Sequence, residues 1–420
     1  MFDRRTFLGA LGAASFAGLN RLDAADPTPK KIAIVATIWS YLSHCGHMGD
    51  RFLVGYPRHG RWHKSQLQVV SAYVDQKNDA DLSVKRAEEY GFTVQPTIAQ
   101  ALRCGGDKLA VDGVVIIGEH GEYPDNEKGQ KLYPRFDFFQ QAVKVFEQDG
   151  RSVPIYNDKH LSYSWQHAAK MVQDSKRLGF PFLAGSSVPV TWRLPAVDVP
   201  YGAEVKEALA IGMGAVDHTA FHVYEALQSM VERRRGGETG VKSVQLLEGD
   251  AVWRAGEEGQ WSKRLLEAAL SRSDSISGDS DLDSRPQDLV RNGKLPGMIR
   301  KDRPVTALLI EYNDGLRATV MMLNGVMSDF NGAVRLANDE IISTQFYAPP
   351  EPNVAYSACL MAQVEEMIVT GKAPYPVERT QLTSSVIERA LDSRVSGFQR
   401  IQTPELNISY RASEASHFGG

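Results

Sequence analysis

The chain has 420 residues, too many for one ordinary hydrophobic core, so length alone predicts two domains. Its content, 43% hydrophobic and 23% charged, is that of a soluble globular protein. A net charge of -4 excludes an electrostatic case for nucleic acid, which needs clustered Lys and Arg. The tight basic run Arg233-Arg234-Arg235 precedes Gly236-Gly237 and reads as a solvated helix end.

At the N-terminus, Asp3-Arg4-Arg5-Thr6-Phe7-Leu8 leads into an apolar, Gly/Ala-rich stretch from Phe7 to Leu19. That stretch is too short to span a bilayer and suits the apolar region of a signal peptide. Paired arginines before Phe-Leu resemble the twin-arginine export signal. Residues 1–28 are therefore set apart as a signal peptide, with the Ala24-Ala25 region as cleavage candidate. This predicts an exported, periplasmic or extracytoplasmic protein with no stable membrane span after processing. Cys45, Cys104 and Cys359 make neither a disulfide framework nor a four-ligand zinc site, and are expected as mostly buried thiols.

Next, Lys31 to Thr37 is a short β-branched apolar run that reads as a buried parallel strand. A second strand is predicted at Gln68 to Asp75, then an amphipathic helix from Leu82 that stops at Gly91. Phe92 to Val94 reads as a short strand, Thr97 to Leu102 as a helix capped by Thr97, and Gly113 to Gly118 as a strongly apolar strand. A helix through Phe138 to Gln148 leads to a strand at Val153 to Tyr156. Strands alternating with helices predict a Rossmann-like, doubly wound parallel sheet over residues 29–160. Ligands on such sheets lie beyond the carboxyl ends of the strands, which places the segments after Val35, Asp75, Ile117 and Tyr156 around one crevice.

Beyond residue 160 helices are expected to dominate up to Arg235, followed by strands such as Val241 to Leu247 and Thr306 to Tyr312. Asn313-Asp314-Gly315 is a turn signal between the strands Ala307 to Tyr312 and Leu316 to Met321. Residues 161–420 thus read as an α+β domain with an open, mainly antiparallel sheet. Ser271 to Pro286, rich in Ser and Asp, reads as a surface loop.

Five stretches in order resemble the Gfo/Idh/MocA family (glucose-fructose oxidoreductase and inositol dehydrogenase). They are Val69 to Asp75 with Asp81 to Gly91, Asp112 to Ile117, Asp158-Lys159-His160 in place of the family's Glu-Lys-Pro, His218 to Glu225, and Val364 to Pro374. The resemblance implies binding of NAD or NADP, oxidation or reduction of a carbohydrate or polyol, and a homo-oligomer formed through the open face of the second sheet. It assigns catalysis to Lys159, His222 and His218. Thr37, Ile38, Asp75, Glu119, His120 and Lys159 fall at the cofactor, and Trp165, Tyr123 and Glu225 at the substrate.

One departure stands out. The first strand should end in G-x-G-x-x-G, whose glycines let the backbone approach the diphosphate. Here the stretch is Ala36-Thr37-Ile38-Trp39-Ser40-Tyr41, with no glycine before Gly46.

The chemistry of the residues agrees with these roles and adds a second reading. A carboxylate at Asp75 suits ribose hydroxyls. A lysine at a strand end can hold a developing alkoxide, and a histidine suits proton abstraction from an alcohol. His218 and His222, at i and i+4, also suit a divalent metal with Glu225, and His44, His47 and His120 lie at the same crevice as further candidates. Three functions stay open: an exported NAD(P)-dependent oxidoreductase on a carbohydrate or polyol, a hydrolase or lyase using a bound cofactor or a His-ligated metal, and a non-catalytic sugar-binding protein.

Overall fold

A computed structural model describes residues 28–275 and 304–419. The expected signal peptide therefore lies outside the described residues save for its last position, as does most of the Ser/Asp-rich stretch. Among the described residues no helix is long and apolar enough to cross a membrane.

The chain opens with β1 (Lys30–Ala36), a π-helical turn (Cys45–Gly49), α1 (Asp50–Val54) and a small hairpin of β2 (Tyr56–Arg58) and β3 (Arg61–His63). Then come β4 (Leu67–Val74), α2 (Ser83–Tyr90), β5 (Thr93–Val94), α3 (Ile98–Arg103), β6 (Gly113–Ile117), α4 (Arg135–Asp149), β7 (Ile155–Asp158), α5 (Trp165–Leu178) and β8 (Phe182–Gly185). The six longer-range strands form one parallel sheet in the order β5-β4-β1-β6-β7-β8. Thr97 caps α3 as expected, its side chain accepting the Gln100 amide. The doubly wound reading holds, because both faces of the sheet are buried. Ala33, Val35, Val114 and Ile116 pack on α3, α4 and α5, while Ile32, Ile34, Val115 and Ile117 face the other way. Parallel strands covered on both sides read as continuous apolar runs, which is why this half is legible.

The sheet extends beyond residue 160, where the sequence pattern ends it. Phe182-Leu183-Ala184-Gly185 is too short and too closely followed by Ser186-Ser187 to stand out as a sixth strand, yet it pairs with β7 in full register.

The second half contains β9 (Trp192–Leu194), β10 (Val205–Gly212), α6 (Thr219–Val231), β11 (Val241–Glu248), α7 (Asp250–Glu257), α8 (Lys263–Leu270), β12 (Thr306–Tyr312), β13 (Arg317–Met322), β14 (Phe330–Leu336) and β15 (Ile341–Tyr347). It closes with α9 (Ser357–Thr370), α10 (Glu378–Val395) and β16 (Ile401–Gln402). The sheet runs β16-β11-β12-β13-β10-β14-β15-β9, antiparallel except for the β10–β13 pair. The helical expectation for residues up to Arg235 fails at β8, β9 and β10, whose apolar residues are buried by long-range pairing. The turn at Asn313-Asp314-Gly315 joins β12 to β13 as expected.

One face of this sheet holds α6 and α10 over Ala208, Ala210, Leu308, Val320 and Val334. The other is covered by α7 and α8, whose Val252, Trp253, Leu265 and Leu266 pack on Leu209, Ile211, Leu309 and Met321. The face on which the sequence expectation places a subunit contact is therefore taken by the chain's own amphipathic helices.

Two further expectations change. Arg234 is buried against Glu238 and Asp314 rather than solvated, leaving Arg235 as the exposed member of the run. Cys45 and Cys359 are buried free thiols, whereas Cys104 is an exposed one.

The C-terminal helix α9 returns to the first sheet. Leu360, Val364 and Met367 join Ile32, Ile34 and Val115 in one core. Buried Glu365 on α9 accepts from the Tyr56 and Ser65 hydroxyls, tying the β2–β3 hairpin in place.

Candidate functional site

The carboxyl ends of β1, β6, β7 and β8 meet the N-terminal half of α6, and polar side chains collect there. Lys159 follows β7 directly and is 5% exposed. Its φ of +59 lies in the left-handed region, which costs a non-glycine residue roughly 1 kcal/mol or more, and such strain gathers at working sites. The Lys159 ammonium donates to Glu119 Oε1 at 2.8 Å, while Arg135 donates to Glu119 Oε2. Burial alone would raise the Glu119 carboxyl, yet the Lys159 and Arg135 charges hold it well below the usual carboxylate range. Glu119 is thus the buried counter-ion of two cations and not a free cofactor ligand.

His160, in the place of the family motif's proline, is buried and its Nε2 faces Arg135 at 3.3 Å. Asp158 is 1% exposed, and its Oδ2 lies 2.6 Å from His44 Nδ1. The His44 ring stands edge-on to His47 and to His120, with centroids 5.0 Å away in each case. His47 is pushed down to about 2 and His120 to about 4, in both cases chiefly by burial, so both rings are neutral near pH 7.

On α6, His222 Nδ1 faces Ser186 Oγ at 2.5 Å. Burial, then the Lys159 charge and His44, hold His222 well below the ordinary histidine value, which places these three groups within one another's field. One turn earlier, His218 is the exposed N-cap of α6 and its Nδ1 meets Thr219 Oγ1.

Glu225 shares the face of His222 but turns into the protein. It accepts from the Ser186 amide at 2.7 Å, Thr380 Oγ1 at 2.7 Å and Thr383 Oγ1 at 3.0 Å. Buried on all sides, it braces α6 against β8 and α10, and neither a substrate nor a metal reaches it. Gly185 makes this possible, since a Cβ there would lie 2.4 Å from Glu225 Oε2 and its φ is +122.

The other expected residues separate. Trp165 starts α5, its amide donating to Glu388 and its ring lying beneath the Arg389 guanidinium, so a side chain of α10 fills the stacking place foreseen for a sugar. The Tyr123 hydroxyl donates to Asp75 Oδ2 and the Tyr73 hydroxyl to Asp75 Oδ1, both at 2.7 Å. Tyr123 therefore caps Asp75 instead of lining a substrate pocket. Among the described residues, no group of three or more His, Cys, Asp or Glu side chains is set to hold a metal ion. The metal reading of His44, His47, His120, His218 and His222 therefore gains no support from the arrangement of these side chains.

The loop that replaces the glycine turn satisfies several of its own amides. Ser43 Oγ accepts from the Ser40 and Gly46 amides, and His120 Nδ1 accepts from the His44 amide. Thr37 is buried, its hydroxyl donating to the Glu119 carbonyl, and Trp39 is a core side chain bonded to Asp50. The segment after β6 folds back over Ile38, where Gly121 lies against Ile38 and Gln76. A diphosphate held in the glycine manner needs free backbone N–H groups at this place, and Ser43 and His120 already take those of Ser40, His44 and Gly46.

No protein-family profile matches the chain, and no curated protein does either. Solved structures do. GenD2 from gentamicin A biosynthesis, in complex with NAD, superposes with a TM-score of 0.56 at 12% identity, over 92% of this chain and 99% of that one. This is the Gfo/Idh/MocA fold. A myo-inositol 2-dehydrogenase from Lactobacillus plantarum matches with a TM-score of 0.51 at 11% identity, over 89% and 99% of the two chains. An apo scyllo-inositol dehydrogenase from Lactobacillus casei matches with a TM-score of 0.50 at 11% identity, over 89% and 98%.

Sequence reasoning missed Asp158 and Ser186 as members of the site. Asp158 carried a signal, a carboxylate at a strand end beside Lys159. Ser186 carried none, because its strand was not foreseen.

Proposed function

We propose that this protein is an enzyme acting on a hydroxyl group of a sugar or polyol, in the oxidoreductase class that its fold carries. The observation that carries the reading is the convergence of Lys159 from β7 and His222 from α6 in one electrostatically coupled cluster. A lysine ammonium stabilises a developing alkoxide, and imidazoles beside it hydrogen-bond or relay its proton. The inositol dehydrogenases among the structural neighbours support the substrate class.

NAD or NADP is the cofactor the fold implies. The loop after β1 departs from the glycine manner of holding a dinucleotide: it has no glycine before Gly46, and Ser43 and His120 take the Ser40, Gly46 and His44 amides. No hydride step is assigned. The closed loop favours, as a second reading, a redox-neutral elimination or hydrolysis on the same class of substrate. Export through the twin-arginine route belongs to the same proposal and rests on Arg4-Arg5 before the apolar Phe7 to Leu19 run.

Calorimetric titration with myo-inositol, together with nucleotide analysis of the denatured protein, tests this. Polyol binding weakened by Lys159→Ala and His222→Ala is expected. Released nicotinamide nucleotide selects the redox reaction, and turnover without it selects the redox-neutral one. Binding unchanged in both variants overturns the proposal in favour of a passive sugar-binding protein.

A further inference from the structure

Hydrogen-bond direction decides which nitrogen of each imidazole in the cluster carries the proton. The Val188 amide donates to Ser186 Oγ at 3.0 Å, and the Ser186 hydroxyl, which keeps its proton, faces His222 Nδ1 at 2.5 Å. With that proton turned to His222, Nδ1 accepts and the imidazole proton sits on Nε2. The His44 amide donates to His120 Nδ1 at 3.3 Å, so His120 likewise carries its proton on Nε2. His44 is the reverse case. Its Nδ1 faces a buried carboxylate oxygen of Asp158 at 2.6 Å, and a carboxylate only accepts. Nδ1 holds a proton, and in the neutral imidazole Nε2 keeps its lone pair.

We propose that His44, oriented by Asp158, is the general base of the site, and that His222 and His120 act as neutral hydrogen-bond donors. The assignment rests on the reading that the site works on a hydroxyl group. The step balances simply: the substrate O–H bond breaks as the His44 Nε2–H bond forms, leaving an alkoxide and an imidazolium. Asp158 stabilises the imidazolium, and the Lys159 ammonium with the Nε2–H groups of the two donor histidines stabilises the alkoxide. The charged and titratable groups around His44 are Asp158 and Lys159 from the end of β7, Glu119 and His120 after β6, His47 on the π-helical turn, and His222 on α6. The loop that replaced the glycine turn thus supplies the base, and His222, expected from the sequence, becomes a donor.

Long-range proton–nitrogen NMR of the full chain labelled at histidine reads the tautomers directly. At neutral pH, His44 is expected as the Nδ1–H form, with His222 and His120 as Nε2–H forms. An imidazolium or an Nε2–H form at His44 overturns the proposal, because either lacks the lone pair. Diethyl pyrocarbonate labelling read by mass spectrometry is the second measurement. His44 should react faster than His47, His120 and His222, and Asp158→Asn should slow it roughly tenfold, the orienting carboxylate being what holds this tautomer. Unchanged labelling of His44 in a folded Asp158→Asn protein counts against the dyad. If myo-inositol fails to bind while His44 shows the expected tautomer, the polyol reading falls and the tautomer assignment of the dyad stands.

Discussion

Lys159 Nζ and Glu119 Oε1 lie 2.8 Å apart in a site where both side chains are about 6% exposed, and Arg135 holds the second oxygen of the same carboxylate. Two buried cations thus share one buried anion.

Glu119→Gln leaves both cations without their counter-charge. Removing one partner of a buried ion pair costs about 3–5 kcal/mol, so the urea midpoint should fall sharply. Combining it with Lys159→Met should recover part of the loss, since one of the stranded charges is gone. Equal stability of the single variant and the natural protein would show that the pair is open to water.

Gly185→Ala should destabilise the protein by more than about 1 kcal/mol, because φ is +122 and the new Cβ falls on Glu225 Oε2. Thermal unfolding measures it. The companion Glu225→Ala relieves that clash but strands the Ser186 amide and the Thr380 and Thr383 hydroxyls, so it should be destabilising by itself.

Acid should unfold the protein early. His47 and His120 have folded-state values of about 2 and about 4, below the unfolded value of 6.5. Between those values the unfolded chain binds more protons than the folded one, so stability rises with pH up to about 6.5 and is lost as pH falls below it. Each such proton contributes a slope of up to about 1.4 kcal/mol per pH unit. Urea midpoints from pH 7 to pH 4 should decline steadily, and His120→Gln should flatten the decline. A flat profile in the natural protein would mean that these rings titrate normally.

Ser43→Ala removes the acceptor of the Ser40 and Gly46 amides. A loss of about 1–3 kcal/mol per stranded donor is expected, read from the urea midpoint. A neutral result would mean that these amides are open to another acceptor, and would restore the phosphate-binding role to this loop.

Much of the architecture was legible from the chain because its causes are local. The β1 and β6 strands announce themselves as apolar runs rich in β-branched residues, since a parallel strand is buried on both faces. Gly91 after α2 and Thr97 before α3 mark helix ends by their own backbone and side-chain chemistry. Lys159 was visible for the same reason, as a charge set at the end of an apolar strand. Tertiary structure alone decided the rest. Whether Glu225 faces a substrate or braces α6 depends on Thr380 and Thr383, some 155 residues away in the chain. Which nitrogen of His44 carries a proton depends on Asp158, a partner 114 residues distant. Residue types show what chemistry a chain can do; the hydrogen bond that fixes a tautomer, or buries a carboxylate, forms between segments whose meeting no local pattern records.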